Sequence, residues 1–202
     1  MFDRPLSQTR RAQCERCGLP APTCVCALVT RVPNGVDVLV LQHPDEAREA
    51  KGSARLLRLT LARCRVVVGE VFEPATLRRL LDGDVSANAL LYPESPLAAP
   101  LRAVATPPPQ RLVVLDGTWR KSLRMLHANP LLQSLPRWAV APAGPARYGA
   151  LRKARRPAQL STLEATCAAL GDIEQAPARY APLLAAFDRF VADRVSRTRG
   201  AP

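Results

Sequence analysis

Apolar residues in this chain come in short runs bounded by turn formers, and stretches of helical spacing separate the runs. Residues 36–41, 65–68, 89–92, 112–115 and 137–140 predict strands. Residues 53–61, with leucines at 56, 57, 59 and 61, predict a helix, and so do 74–81, where Pro74 suits a first turn. A third helix is predicted over 118–128, ended by Asn129-Pro130. In it Trp119, Leu123 and Leu126 stand at i, i+4 and i+7, which predicts a buried stripe; stacking on a nucleic-acid base is the other role open to Trp119. Two further helices are predicted from 161 to about 171 and from about 177 to 194. Alternating strands and helices predict an α/β fold with a mostly parallel sheet. Residues 1–32 form a turn-rich leader ahead of a domain over 33–202, and 93–109 form a proline-rich loop.

One junction stands out. The apolar run Leu112-Val113-Val114-Leu115 stops at Asp116, turns on Gly117, and restarts at Thr118-Trp119-Arg120-Lys121 as a basic helix. Ligands of open α/β sheets sit at the carboxyl ends of strands, so Asp116 is placed for chemistry. The plainer alternative is that Asp116 and Thr118 only cap the helix. Ser161 and Glu164 have the Ser-x-x-Glu spacing of a capping box.

Cysteines 14, 17, 24 and 26 form a Cys-x-x-Cys and a Cys-x-Cys pair inside the leader. Two close pairs can supply the four thiolates of a structural zinc site. A redox dithiol is the alternative, but such a motif opens a helix after a strand, and this one lies in a strandless segment. Cys64 and Cys167 fall in predicted core elements and carry no assigned role.

The charge balance adds a partner class. Among 202 residues, 29 are basic and 17 acidic, a net charge of +12, which favours polyanions and nucleic acid above all. Only three of the basic residues are lysines (51, 121 and 153), so compositional bias towards arginine contributes to the excess. Arg152, Lys153, Arg155 and Arg156, with Arg120, Lys121 and Arg124, are the candidate phosphate contacts; a solvated surface is the alternative. The first residues lack a signal-peptide core, and no stretch approaches ~18 apolar residues, so a cytoplasmic protein without membrane contact is expected. No obligatory protein partner is evident.

Together these motifs resemble the DTW-domain family of tRNA-uridine aminocarboxypropyltransferases. The resemblance rests on Cys14-x-x-Cys17 with Cys24-x-Cys26, Leu41-Gln42-His43-Pro44-x-Glu46, Leu90-Leu91-Tyr92-Pro93, Asp116-Gly117-Thr118-Trp119 and Leu160-Ser161-Thr162-Leu163-Glu164-Ala165, in that order. It implies a SPOUT-like fold with a knotted C-terminal half. It implies S-adenosylmethionine as donor and transfer of its 3-amino-3-carboxypropyl group to N3 of a tRNA uridine, with methylthioadenosine released. On this reading Tyr92, Pro93, Leu115, Asp116, Gly117, Thr118, Ser161, Thr162 and Glu164 surround the donor. His43 and Glu46 lie near the substrate, and Asp116 and Trp119 are the catalytic candidates. An ordinary carboxyl pKa of about 3.9 makes Asp116 a weak base, so it either takes the N3 proton from a buried position or orients the uracil imide. A SAM-dependent RNA methyltransferase of related fold and a non-enzymatic zinc-containing RNA-binding module are the alternatives.

Overall fold

The computed structural model of the chain describes residues 12–49, 52–81, 85–93, 108–140 and 160–199. Five strands form one sheet: β1 Asp37–Gln42, β2 Cys64–Val68, β3 Asn88–Leu91, β4 Arg111–Asp116 and β5 Arg137–Trp138. Their order is β2-β1-β4-β3-β5, and every pairing is parallel. Between and after them lie α1 Pro44–Arg48, α2 Ala54–Thr60, α3 Pro74–Leu80, α4 Trp119–Ala128, α5 Pro130–Gln133, α6 Thr162–Ile173 and α7 Ala181–Arg199, the last entered through a 3₁₀ turn at Pro177–Tyr180.

The unbroken apolar character of β1 and β4 follows from burial on both faces. Successive side chains point to opposite sides, so Val38, Val40, Leu112 and Val114 join one core cluster with residues of α2, α6 and α7. Leu39, Leu41, Val113 and Leu115 join a second, packed against α3, α4 and α5. Cys17, Leu19 and Val25 of the leader belong to the first cluster. The leader is also tied to the far end of the chain, where Arg194 donates to the Thr23 carbonyl at 3.3 Å.

Strand order fixes where a ligand site belongs. The chain runs from β1 outward to β2, crosses to β3 on the other side, and fills the gap with β4. The boundary between β1 and β4 is therefore a switch in strand order, and there Gln42 and Asp116 are register partners at the carboxyl ends.

Two expectations, on β5 and on the buried face of α4, are corrected. Pro44–Arg48 is a short helix directly after β1, and His43 caps it, its Nδ1 accepting from the Asp45 amide at 3.2 Å. Asn129-Pro130 ends α4 as expected, and Pro130 opens the separate short helix α5. Residues 139 and 140 lie beyond β5. The buried face of α4 is Ser122, Met125 and Leu126, whereas Trp119 is 46% exposed and Leu123 half-buried. The expected C-terminal knot is not tested by the described residues, which leave out 94–107 and 141–159. Among the described residues no helix is long and apolar enough to cross a membrane.

Glu174, just past α6, pins the entry to β1 onto the C-terminal helices. Its carboxylate accepts from the Gly35 amide at 2.8 Å, the Val36 amide at 2.9 Å and the Tyr180 hydroxyl at 2.7 Å, and it pairs with Arg179. Burial pushes its pKa up, but the Tyr180 hydroxyl and the two amides outweigh burial and leave it below the usual value. A carboxyl so shifted stabilises the fold above its unfolded pKa and loses that contribution as pH falls through the folded value. Glu174→Ala is expected to lower stability by about 2–4 kcal/mol at neutral pH, with the deficit shrinking below about pH 4. Urea unfolding across pH checks this, and a variant as stable as the parent at neutral pH would contradict it.

Candidate active site and cysteine centre

The site begins with the Asp116 carboxylate at the end of β4, only 6% exposed. Gln42 Nε2 donates to Oδ2 at 2.8 Å from the adjoining β1, and Thr162 Oγ1 donates to Oδ1 at 2.7 Å from the first turn of α6. The His43 amide donates to the Asp116 carbonyl at 2.9 Å. Asp116 is thus a carboxylate fixed in orientation by two elements that are remote in sequence, and it is not a helix cap. Capping falls to Thr118, whose hydroxyl accepts from the Lys121 amide at 3.4 Å. Gly117 packs closely: a Cβ there would lie 3.1 Å from Lys121 Cβ. Leu115 buries its side chain in the second core cluster.

The predicted capping box is present. Ser161 Oγ accepts from the Glu164 amide at 3.2 Å, and Glu164 Oε2 accepts from the Ser161 amide at 2.9 Å. The box fixes the start of α6, and Thr162 beside it therefore meets Asp116 at a set position.

Trp119 turns away from the core. Its ring stacks on Tyr92 with centroids 5.4 Å apart and planes 19° apart. Tyr92 is buried at the end of β3, and the Arg137 guanidinium lies 5.2 Å from its ring centroid. Pro93 is exposed beside it. On the opposite side Lys121 Nζ donates to Glu46 Oε1 at 3.0 Å and lies 3.2 Å from Asp45 Oδ2. Lys121 is therefore bound up within the protein, and Arg124 likewise pairs with Glu70. His43 is buried, with Nε2 3.4 Å from Glu70 Oε2. The pairing with Arg124 holds the Glu70 carboxyl below its usual pKa. Arg120 is exposed. Arg152, Lys153, Arg155 and Arg156 lie outside the described residues.

The structure adds residues that the sequence did not single out. Asn129 accepts from the Phe72 amide at 2.8 Å and donates to the Glu70 carbonyl at 2.9 Å, which holds the 70–72 turn against the end of α4. Arg16, Arg55 and Arg58 line a cleft of about 350 Å³ that reaches from the cysteine segment to Gln42 and Glu46. Arg137 is a charged residue opening a strand whose next positions are apolar, and that contrast was its available signal.

The cysteines converge as their spacing implies. Cys14 Sγ and Cys26 Sγ are 3.6 Å apart, Cys17 Sγ and Cys24 Sγ 3.7 Å, and all four sulfurs lie within 4.8 Å of one another. Sulfurs at about 2.3 Å from a tetrahedral zinc would be separated by about 3.8 Å, so the geometry fits that ion. Gly18 makes the turn possible at φ +69°, a conformation that strains other residues, and its amide donates to the Cys14 carbonyl at 2.7 Å. The Cys17 and Arg16 amides pull the Cys14 thiol down to about 6. Burial, with the neighbouring thiols, pushes Cys26 up to about 12. Four crowded thiols resist joint ionisation, and a bound cation relieves that resistance.

A DTW domain profile matches residues 11–195. The chain belongs to the DTW-domain family. It is 32% identical over 177 residues to tRNA-uridine aminocarboxypropyltransferase 2 of Drosophila melanogaster, covering 83% of this chain and 69% of that protein. It is 26% identical over 157 residues to tRNA-uridine aminocarboxypropyltransferase A of Arabidopsis thaliana, covering 65% and 56%. The corresponding figures for tRNA-uridine aminocarboxypropyltransferase 2 of Macaca fascicularis are 26% over 178 residues, 82% and 58%. This DTW chain thus spans little more than half the length of the plant and macaque proteins. No solved structure matches it significantly.

The cysteine centre yields a direct expectation. Purified protein should hold one zinc per chain, and Cys24→Ser with Cys26→Ser should abolish it. Because Cys17, Leu19 and Val25 pack in the main core, chelation should lower the melting temperature by roughly 5–10 °C, equivalent to about 2–3 kcal/mol in a chain of this size. Metal analysis beside a thermal melt checks both; full zinc content in the double variant would contradict the assignment.

Proposed function

We propose that this protein is a tRNA-uridine aminocarboxypropyltransferase that uses S-adenosylmethionine and carries a structural zinc in its 1–32 leader. The observation that carries the proposal is the fixed Asp116 carboxylate at the switch in strand order, joined through Thr162 to the α6 start and flanked by the exposed Trp119. A parallel sheet presents its ligand site at such a place. The names of the family relatives supply the reaction class. A SPOUT-like threading of the C-terminal half belongs to the same reading.

The donor's sulfonium makes three adjoining carbons electrophilic, and attack by N3 at the propyl carbon forms the N–C bond, breaks the C–S bond and returns the electron pair to sulfur. What remains for the protein is positioning, which contributes roughly 7–11 kcal/mol to such a reaction. Asp116 accepts the N3–H of the uracil imide, holding the base and receiving its proton as the nitrogen attacks. Gln42 and Thr162 keep the carboxylate turned to that task. Trp119 stacks on the base, a contact worth about 1–3 kcal/mol. Tyr92, Pro93, Leu115, Gly117, Thr118, Ser161 and Glu164 shape the donor side, with Leu115 acting through its place in the strand. His43 and Glu46 support the β1 end beside the acceptor. Exposed Arg120 and the cleft arginines 16 and 58 are phosphate contacts in this reading, as are Arg152, Lys153, Arg155 and Arg156 on the sequence alone.

One experiment tests reaction and residue together. Purified protein, donor and tRNA in single turnover should give methylthioadenosine, and Asp116→Asn should retain its fold but lose roughly 10²–10⁴-fold in rate. S-adenosylhomocysteine as by-product would assign methyl transfer instead. An absence of either product with tRNA still bound would assign a binding module. A normal rate in the folded Asn variant would remove Asp116 from the chemistry.

A further inference from the structure

Arg137 is 2% exposed, yet none of its three guanidinium nitrogens meets an acceptor among the described residues. The hydroxyl of Tyr92, also 2% exposed, is equally without a partner among them. The two are held together by the sheet: the Tyr92 amide donates to the Trp138 carbonyl at 3.1 Å, and the Leu90 amide to the Pro136 carbonyl at 2.8 Å. The guanidinium lies 5.2 Å from the Tyr92 ring centroid, and that ring stacks on Trp119. The pair thus stands at the carboxyl end of β3 and β5, one aromatic ring away from the residue that follows Asp116-Gly117-Thr118.

A guanidinium stays charged at any physiological pH and brings five N–H donors. Burying one without an anion is strongly unfavourable, and an aromatic face offsets only a small part of the cost. Burial lowers its pKa accordingly. A fold that keeps Arg137 there is prepared for an incoming anion.

We propose that Arg137, with the Tyr92 hydroxyl, is the receptor for the carboxylate of the amino-acid arm of the donor. The proposal rests on the donor assignment made above. A planar guanidinium fork matches the two oxygens of a carboxylate. An RNA phosphate is a poorer fit, because a group that is 2% exposed admits the free end of a short arm more readily than a polymer backbone. Anchoring the arm by its far end also restricts which of the three carbons on sulfur faces the acceptor. Arg137 is in this sense a positioning residue that favours transfer of the arm over transfer of the methyl group.

Titration calorimetry with two nucleosides separates the possibilities. S-adenosylmethionine carries the arm; methylthioadenosine shares the nucleoside and lacks it. Arg137→Met keeps the length of the stem and removes the charge. It should weaken S-adenosylmethionine roughly 10- to 100-fold and leave methylthioadenosine within about twofold. Arg137→Lys, which keeps a charge without the fork, should fall between. The ligand-free Met variant should melt no lower than the parent, since it removes a buried charge that has no acceptor among the described residues. Equal weakening of both nucleosides, or unchanged affinity for both, would overturn the proposal, and so would a loss of tRNA affinity with donor affinity intact. A parent protein that binds neither nucleoside would instead overturn the donor assignment, and the Arg137 proposal with it.

Discussion

A carboxylate buried at the end of the central strand is the constraint on which the rest of this structure depends. Asp116 cannot be left without donors in a site that is 6% exposed, and its two oxygens draw them from β1 through Gln42 and from α6 through Thr162. Those bonds fix the register of the β1 and β4 ends and set the α6 start against them. The capping box at Ser161 and Glu164 holds the Thr162 side in place, and the apolar sandwich around Val38, Val40, Leu112 and Val114 holds the strand side. Rigid layers on both faces of the sheet thus present a polar group at one edge in a single orientation, the arrangement that preorganised chemistry requires.

The cysteine segment contributes to the same core rather than hanging from it. Cys17, Leu19 and Val25 pack beneath α2 and α7, and the cleft that starts at the cysteines reaches Gln42. A metal held there would stiffen one wall of the cleft that leads to the residue orienting Asp116. Arg58 reinforces that wall by donating to the Arg16 carbonyl at 2.9 Å.

What the sequence made legible was local. The apolar runs located the five described strands: in β1, β3 and β4 burial on both faces leaves no polar alternation to confuse them, and half-exposed β2 still carries a run of valines. Ser161 to Glu164 declared a helix start because a capping box is a matter of spacing. Cysteine pairs close enough to share an ion needed no fold to be noticed. Contacts between distant segments were not legible. Nothing in the spacing of Gln42, Asp116 and Thr162 says that they meet, and Glu174 reaches an amide 139 residues away. Trp119 misled because a helical period cannot tell a buried first turn from one that leans on Tyr92. Arg137 was passed over because its significance lies in the partners it lacks.

Everything at this end of the sheet turns on whether Asp116 and Thr162 act as one unit across their 2.7 Å hydrogen bond. A double-mutant cycle of Asp116→Asn and Thr162→Val, read as unfolding free energy in urea, measures it most directly. A coupling of about 1–3 kcal/mol is expected, with the double variant little less stable than the worse single one. Effects that simply add, to within about 0.5 kcal/mol, would mean instead that the two motifs are merely neighbours and that Thr162 does not hold Asp116.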